Sequence, residues 1–186
     1  MRTARLTPRP ATVGDLAETW QFRQLPAVSR WLTRAPATLM EYCIQFLEMD
    51  SLAKTVIIEL DGQVIGDLML QIEDGWGQAE AAERARGTQG ELGWVLHPQH
   101  TGHGYASEAV DALLDLAFSD LKLRRVMASC FAENDASWRL MERVGMRREA
   151  YNFQDSLHRS GAWLDGLTYA LLAEEHATRD QLSHDK

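Results

Sequence analysis

The chain is poor in cysteine and has no long apolar run, and each scarcity excludes a class of protein. Its 186 residues include only two cysteines, Cys43 and Cys130, which form neither a Cys-x-x-Cys motif nor a disulfide framework. No apolar stretch approaches the length of a membrane span, and the first residues lack the hydrophobic segment of a signal peptide. We therefore expect two reduced core cysteines, no membrane partner and a cytoplasmic location.

Basic residues are also in the minority. The 19 lysines and arginines stand against 27 aspartates and glutamates, which gives a net charge of −8. Sequence-independent binding to nucleic acid depends on neutralising phosphates, so we expect no nucleic-acid partner. An acidic surface suits a cationic substrate better, although such a charge also serves solubility. The length fits one domain with a sizeable core.

A phosphate-binding pattern lies where a predicted strand, Glu91–Leu96, gives way to a predicted helix. Residues 99–106 read Gln-His-Thr-Gly-His-Gly-Tyr-Ala. Glycines let backbone N–H groups close around an anion, and the positive end of the helix dipole stabilises the same charge. The residues after Gly104 exclude a nucleotide P-loop, and the missing third glycine and later acidic residue exclude a dinucleotide fingerprint. The remaining alternative is a turn whose glycines only satisfy backbone geometry.

Two ordered motifs resemble the GCN5-related N-acetyltransferases, particularly the branch of the ribosomal-protein N-terminal acetyltransferases. The first is the run Gln-x-x-Gly-x-Gly-Tyr-Ala-x-Glu-Ala, which begins at Gln99. The second begins at Asn134 and reads Asn-x-x-Ser-x-x-Leu-x-Glu-x-Val-Gly-Met-x-x-Glu. The resemblance implies an α/β fold in one domain, residues 1–174, with a mixed, splayed central sheet flanked by helices. A polar C-terminal tail, residues 175–186, would follow.

The resemblance also implies acetyl-coenzyme A as the cofactor. Its pantetheine arm would lie where the strand Glu91–Leu96 parts from the strand Arg125–Phe131. Asn134 would hydrogen-bond the arm from the opposite side, or would cap a helix, and the two roles are not exclusive. Backbone groups of the first strand would pair with the arm, and loop amides would hold the pyrophosphate. The residues so implied are Val95, Leu96 and His97 for the arm, and Gly102, His103, Gly104, Tyr105 and Ala106 for the pyrophosphate.

Acetyl transfer to an amine needs an acceptor for the amine's proton and a donor for the departing thiolate. The resemblance assigns these roles to Glu149 and Ser137, and burial beside an apolar pocket would raise the pKa of Glu149. Alternatively, Glu149 is an exposed strand residue, and Ser137 is an ordinary residue in the first turn of a helix. Many relatives use a Tyr as the acid where this chain has Met141, and Met has no proton to donate, which makes Ser137 more important or leaves water to donate the proton.

Three histidines, His97, His100 and His103, stand in or beside the loop. No Cys or carboxylate nearby completes a convincing metal site, so we expect no metal. A protonated His103 near the pyrophosphate would make cofactor affinity depend on pH.

The acceptor substrate is the feature about which the sequence says least. Asp165 and Glu91 would attract an ammonium group, or would pair with arginines. We expect a small-molecule amine or a protein N-terminus, and a homodimer stays open. Two alternatives also stay open, a larger acyl group such as succinyl and a non-catalytic acyl-coenzyme A-binding module. Aromatic residues that would line the acceptor pocket, or belong to the core, are Trp20, Phe22, Trp31, Tyr151 and Trp163.

Local patterns place the remaining elements. Asp61-Gly62 between two β-branched runs predicts a two-residue hairpin turn. Thr12 and Thr38 each begin a predicted helix, the second ending near Met49, and a first strand covers 5–9. The segment 75–90 consists mainly of small and charged residues, which predict either an exposed loop or a lid over the substrate. Further strands are predicted over 146–153 and 162–172.

Overall fold

A computed structural model describes residues 3–184, and within them the chain forms seven strands and eight α-helices. The strands are β1 (Thr7–Pro10), β2 (Thr55–Leu60), β3 (Gln63–Glu73), β4 (Gln89–Leu96), β5 (Arg125–Phe131), β6 (Arg147–Leu157) and β7 (Trp163–Leu172). The helices are α1 (Leu16–Arg23), α2 (Pro26–Ser29), α3 (Leu39–Leu47), α4 (Met49–Ala53), α5 (Ala82–Ala85), α6 (Tyr105–Asp115), α7 (Asp135–Arg143) and α8 (Ala173–His184). None of these helices within residues 3–184 has the length and apolar character needed to cross a membrane.

The strands form a mixed sheet in the hydrogen-bonded order β1-β2-β3-β4-β5-β7-β6. Strands β4 and β5 pair in parallel from Gln89–Arg125 to Glu91–Met127, while β1-β2, β2-β3, β5-β7 and β6-β7 are antiparallel. The predicted α/β class with a mixed sheet is therefore confirmed. The described residues fall into two compact units, residues 3–70 with 93–112 and residues 71–92 with 113–184.

In the first unit, local sequence signals produce the predicted turns. Asp61 and Gly62 have φ values of 51° and 80°, as the hairpin between β2 and β3 requires. Thr12 and Asp15 form a capping box before α1, because the Asp15 carboxylate accepts from the Thr12 N–H at 2.7 Å. A core cluster of Phe22, Ile57, Val64 and Val95 packs between these elements.

Two element boundaries in the first unit differ from prediction. Strand β1 begins at Thr7 rather than at Arg5, because the Arg5 N–H donates to the Glu108 carboxylate at 2.8 Å instead of joining a ladder. The helix that begins after Thr38 ends at Leu47, since Glu48 has an extended ψ of 128°, and α4 starts anew at Met49.

In the second unit, the long hairpin of β6 and β7 carries the end of the second motif. Strand β6 runs beyond the predicted end to Leu157, with a register shift between Asn152 and Ser156 where Gln154 has a positive φ of 46°. The segment predicted as a polar tail forms α8 as far as His184. Residues 185–186 of that tail, and residues 1–2 of the predicted domain, lie outside the described residues.

The region 75–90 is an ordered excursion whose ends are tied together. The Gly75 N–H donates to the Ala85 carbonyl at 2.7 Å, and the Gly87 N–H donates to the Asp74 carboxylate at 2.8 Å. A short helix, α5, lies inside it. Its role as a lid stays a prediction.

A close backbone approach in the first unit fixes the end of β4. A Cβ on Gly66 would lie 2.4 Å from the Val95 carbonyl oxygen, closer than real Cβ atoms come. The next backbone contact, from the His97 N–H to the Ile65 carbonyl, is 2.8 Å long. Glycine inside a strand often marks such an approach. Gly66 therefore lets β3 hold the Val95–His97 segment tightly.

We predict that Gly66→Ala lowers the free energy of unfolding by about 1–3 kcal/mol, because the backbone must shift to admit the methyl group. Gly93→Ala is the matched control on β4, since its Cβ would meet only the flexible end of Met69 at 3.4 Å. Denaturant unfolding should show a smaller loss of unfolding free energy for Gly93→Ala than for Gly66→Ala. Equal losses would mean that the Gly66 contact relaxes at little cost.

Candidate active site

The glycine loop lies between β4 and α6 in the first unit. Pro98–His100 form a short 3₁₀ turn, and Gly102 and Gly104 each have a φ of +80°. Residues 101–104 are exposed, and α6 begins at Tyr105. The Gly104 carbonyl accepts the first helical bond, from the Glu108 N–H at 3.0 Å. The first amides of a helix lack partners inside it, so this exposed end can bind an anion.

Two of the three histidines, His97 and His103, are held by contacts with nearby residues. His97 uses its backbone N–H for Ile65, and its Nδ1 accepts from the Gln99 N–H at 3.1 Å. The His103 ring stacks on Tyr105 with the centroids 5.6 Å apart. No group of three or more His, Cys, Asp or Glu side chains among residues 3–184 is arranged to hold a metal ion.

The two β4 residues implied in thioester binding differ in exposure. Val95 is buried in the core cluster, and its carbonyl faces Gly66. Leu96 is half-buried. Gly66 was missed by sequence reasoning, although a glycine inside an apolar strand is itself a signal of close backbone approach.

In the second unit, the start of α7 brings two predicted residues together. The Asn134 amide donates to the Ser137 hydroxyl oxygen at 3.0 Å, and both residues are half-buried. Because that oxygen accepts from Asn134, the Ser137 proton can be donated in another direction. Asn134 occupies the N-cap position, but its side chain makes no capping hydrogen bond, so the alternative of a capping Asn is wrong.

The expected rise in the pKa of Glu149 is wrong. Arg125 donates to both Glu149 oxygens, at 2.9 and 2.5 Å, and Arg147 donates to one of them at 2.7 Å. These charged hydrogen bonds, the Arg125 pair first, lower the pKa of Glu149 to about 2 despite partial desolvation. The carboxylate is an exposed, ion-paired strand residue and not a group in an apolar pocket.

Met141 is buried in the core, with 1% of its surface exposed. The next residue, Glu142, accepts a hydrogen bond from the Tyr169 hydroxyl at 2.9 Å. Burial first, and then this carboxylate, raise the pKa of Tyr169 to about 12. This partly buried pair, which sequence reasoning missed, links α7 to β7.

Neither cysteine belongs to the buried core, so the expectation of two core residues is wrong. Cys43 and Cys130 are free and half-buried. Burial raises the pKa of the Cys130 thiol to about 11, so it is protonated near neutrality and is a poor nucleophile.

The candidate acceptor residues separate into core and surface. Phe22 is a core residue, and Trp20 stacks on Tyr42 at 5.3 Å. Tyr151 and Trp163 are more than half exposed on the β6–β7 hairpin. Trp31 stacks against Arg30, Asp165 accepts from the Tyr151 hydroxyl and from the Gln154 N–H, and Glu91 is half-buried in β4.

Comparison with known proteins identifies the family. The chain matches the model of the acetyltransferase (GNAT) domain over residues 5–147. The uncharacterized N-acetyltransferase p20 of Bacillus licheniformis is 28% identical over 183 residues, covering 94% of this chain and 97% of that protein. The chain spans only about half the length of other curated relatives, which it matches at 30% to 42% identity.

Solved structures share the fold. A GNAT-family acetyltransferase from Bacillus anthracis has a TM-score of 0.79 at 29% identity, covering 94% of this chain and 98% of that one. RimJ of Mycobacterium smegmatis, solved in complex with CoA-disulfide, has a TM-score of 0.74 at 23% identity, covering 91% and 83%. The chain therefore belongs to the GNAT acetyltransferase family, which confirms the predicted resemblance.

Proposed function

We propose that this chain transfers the acetyl group of acetyl-coenzyme A directly to a primary amine while both substrates are bound. The amine nitrogen forms a bond to the thioester carbon, the C–S bond breaks, the nitrogen loses a proton and the thiolate gains one. The observation that carries the proposal is the exposed loop in which Gly102 and Gly104 turn with positive φ into the start of α6. That arrangement supports binding of the pyrophosphate by the amides of residues 102–106.

Ser137 is the proposed proton donor to the thiolate. Its hydroxyl oxygen is held by the Asn134 amide, which leaves the Ser137 proton to point elsewhere. The support for this role is the geometry of the hydrogen bond at the start of α7. The assignment of Asn134 to the pantetheine arm remains part of the same proposal, and comes from the family resemblance.

The role of Glu149 as base stays a hypothesis, and its ion pairs count against it. A carboxylate with a pKa of about 2 stays ionised at neutral pH but binds a proton weakly. The structure supports a second role more strongly, in which Glu149 joins β5 to β6 through Arg125.

The acceptor is proposed to be a cationic amine, either a small molecule or a protein N-terminus. The net charge of −8 supports attraction of such a substrate.

Thiol release measured over a panel of amines with acetyl- and succinyl-coenzyme A tests the proposal. Preference for succinyl would replace the acetyl assignment, and cofactor binding without turnover on any amine would indicate a non-catalytic module.

Gly104→Ala tests the phosphate loop, with Gly62→Ala as the matched control. Both glycines have a φ of +80°, so each alanine should cost a similar 1–2 kcal/mol or so of stability. Only Gly104→Ala should weaken coenzyme A binding, by roughly tenfold or more, because only its backbone is proposed to meet phosphate. Calorimetry on the two folded variants checks this. Equal affinities would refute the loop assignment.

Glu149→Gln and Ser137→Ala test proton transfer. Since the pKa of Glu149 is about 2, we expect Glu149→Gln to change the rate by one constant factor between about pH 6 and 9. A catalytic base would instead give the largest loss at low pH, with recovery as the amine becomes neutral without help.

Ser137→Ala should lower kcat by roughly a hundredfold if the hydroxyl is the acid. A loss below about threefold would remove Ser137 from that role.

A further inference from the structure

The glycine loop contains no lysine or arginine between His97 and Ala106, yet a guanidinium lies against it. Arg5, which precedes β1, donates from Nη1 to the His103 carbonyl oxygen at 3.0 Å. Its guanidinium carbon lies 4.6 Å from the centroid of the Tyr105 ring. A Cβ on Gly104 would be 3.5 Å from Arg5 Nη2. Arg5 therefore packs along one side of the loop.

Glu108, in the first turn of α6, holds Arg5 in this place. Its Oε2 accepts from Arg5 Nε at 2.7 Å, and its Oε1 accepts from the Arg5 backbone N–H at 2.8 Å. The Thr3 hydroxyl also donates to Oε1, at 2.5 Å. The side chain and the backbone of Arg5 are thus both fixed by one carboxylate, 103 residues away along the chain.

The bond from Arg5 to His103 sets the direction of the next amide. The carbonyl of His103 and the N–H of Gly104 belong to one planar trans peptide and point in opposite directions. A carbonyl held toward Arg5 therefore turns the Gly104 N–H away from Arg5. The following peptide is fixed by the helical bond from the Glu108 N–H to the Gly104 carbonyl, so the Tyr105 N–H also points out of the helix start.

We propose that Arg5 is a positioning residue for the pyrophosphate of coenzyme A. It fixes the His103–Gly104 peptide so that successive loop amides face the anion before the cofactor arrives, which lowers the cost of ordering them on binding. Lysine cannot replace it, because a single ammonium lacks the planar fork that contacts Glu108 and His103 together. This inference rests on the proposed binding of coenzyme A at the loop.

Arg5→Lys tests the inference by comparing two ligands, dephospho-coenzyme A, which keeps the pyrophosphate, and pantetheine, which lacks it. We expect the Kd of dephospho-coenzyme A to rise roughly ten- to a hundredfold, as expected for a lost charged hydrogen bond. The Kd of pantetheine, measured by competition, should change less than about twofold. The NMR order parameters of the Gly104 and Tyr105 amides in the ligand-free protein should fall.

Arg9→Lys is the matched control, because Arg9 makes a comparable forked contact with Asp15 and Glu59 in the same unit. It should lower the melting temperature without changing the ratio of the two dissociation constants. If Arg5→Lys does not fold, Glu108→Gln, which keeps the side-chain shape, should show the same selective loss and decides instead.

The outcomes separate the two proposals. A wild-type protein that fails to bind coenzyme A would overturn the proposed function. A wild type that binds it, beside an Arg5→Lys variant with unchanged affinity, would overturn only the role of Arg5. An equal weakening of both ligands would also overturn that role, since it indicates a general loss of structure.

Discussion

The left-handed backbone at Gly102 and Gly104 is the constraint on which the candidate site depends. It lets the chain leave β4 and start α6 within the eight residues 97–104. A side chain at either position would cost about 1–2 kcal/mol of conformational energy, and would also stand where backbone has to remain accessible. The same two glycines therefore determine both the path of the chain and the exposure of the helix amides.

The second unit shows how neighbours decide the behaviour of a carboxylate. An apolar pocket would have raised the pKa of Glu149, but two guanidinium groups lower it to about 2. Glu142, on the same helix as Ser137, instead accepts from the Tyr169 hydroxyl. Both glutamates of the second motif thus hold secondary-structure elements together, which makes a structural account of this part of the motif stronger than an acid–base account.

The sequence predicted those features whose causes lie within a few residues. The Asp61-Gly62 turn, the Thr12–Asp15 capping box and the glycine loop each depend on local backbone preferences. Partners chosen by the tertiary fold could not be predicted this way. Glu108 meets Arg5 across 103 residues, and that contact also explains why β1 starts two residues late.

The expected rise in the pKa of Glu149 was wrong for the same reason. The motif identified the position, but Arg125 is brought to it by the pairing of both β5 and β6 with β7, which no local pattern reports. Gly66 is intermediate between the two cases. Its place inside a strand indicates a close approach, whereas the identity of the opposing atom, the Val95 carbonyl oxygen, emerges only from the fold.

The ion pairs of Glu149 make positioning of the reactants more important in the proposed reaction than proton transfer. Acid–base assistance contributes about a hundred- to ten-thousand-fold, whereas holding two reactants in place can supply about 7–11 kcal/mol of the barrier. With Met141 unable to donate and Glu149 a weak base, the proposed reaction keeps Ser137 for proton transfer and depends more on the second source. An enzyme that works in this way needs a cofactor site whose backbone is rigid before binding. The two positive-φ glycines of the loop, the Gly66 contact and the Arg5–Glu108 pair all fix the backbone, and all three lie in the unit that carries the glycine loop.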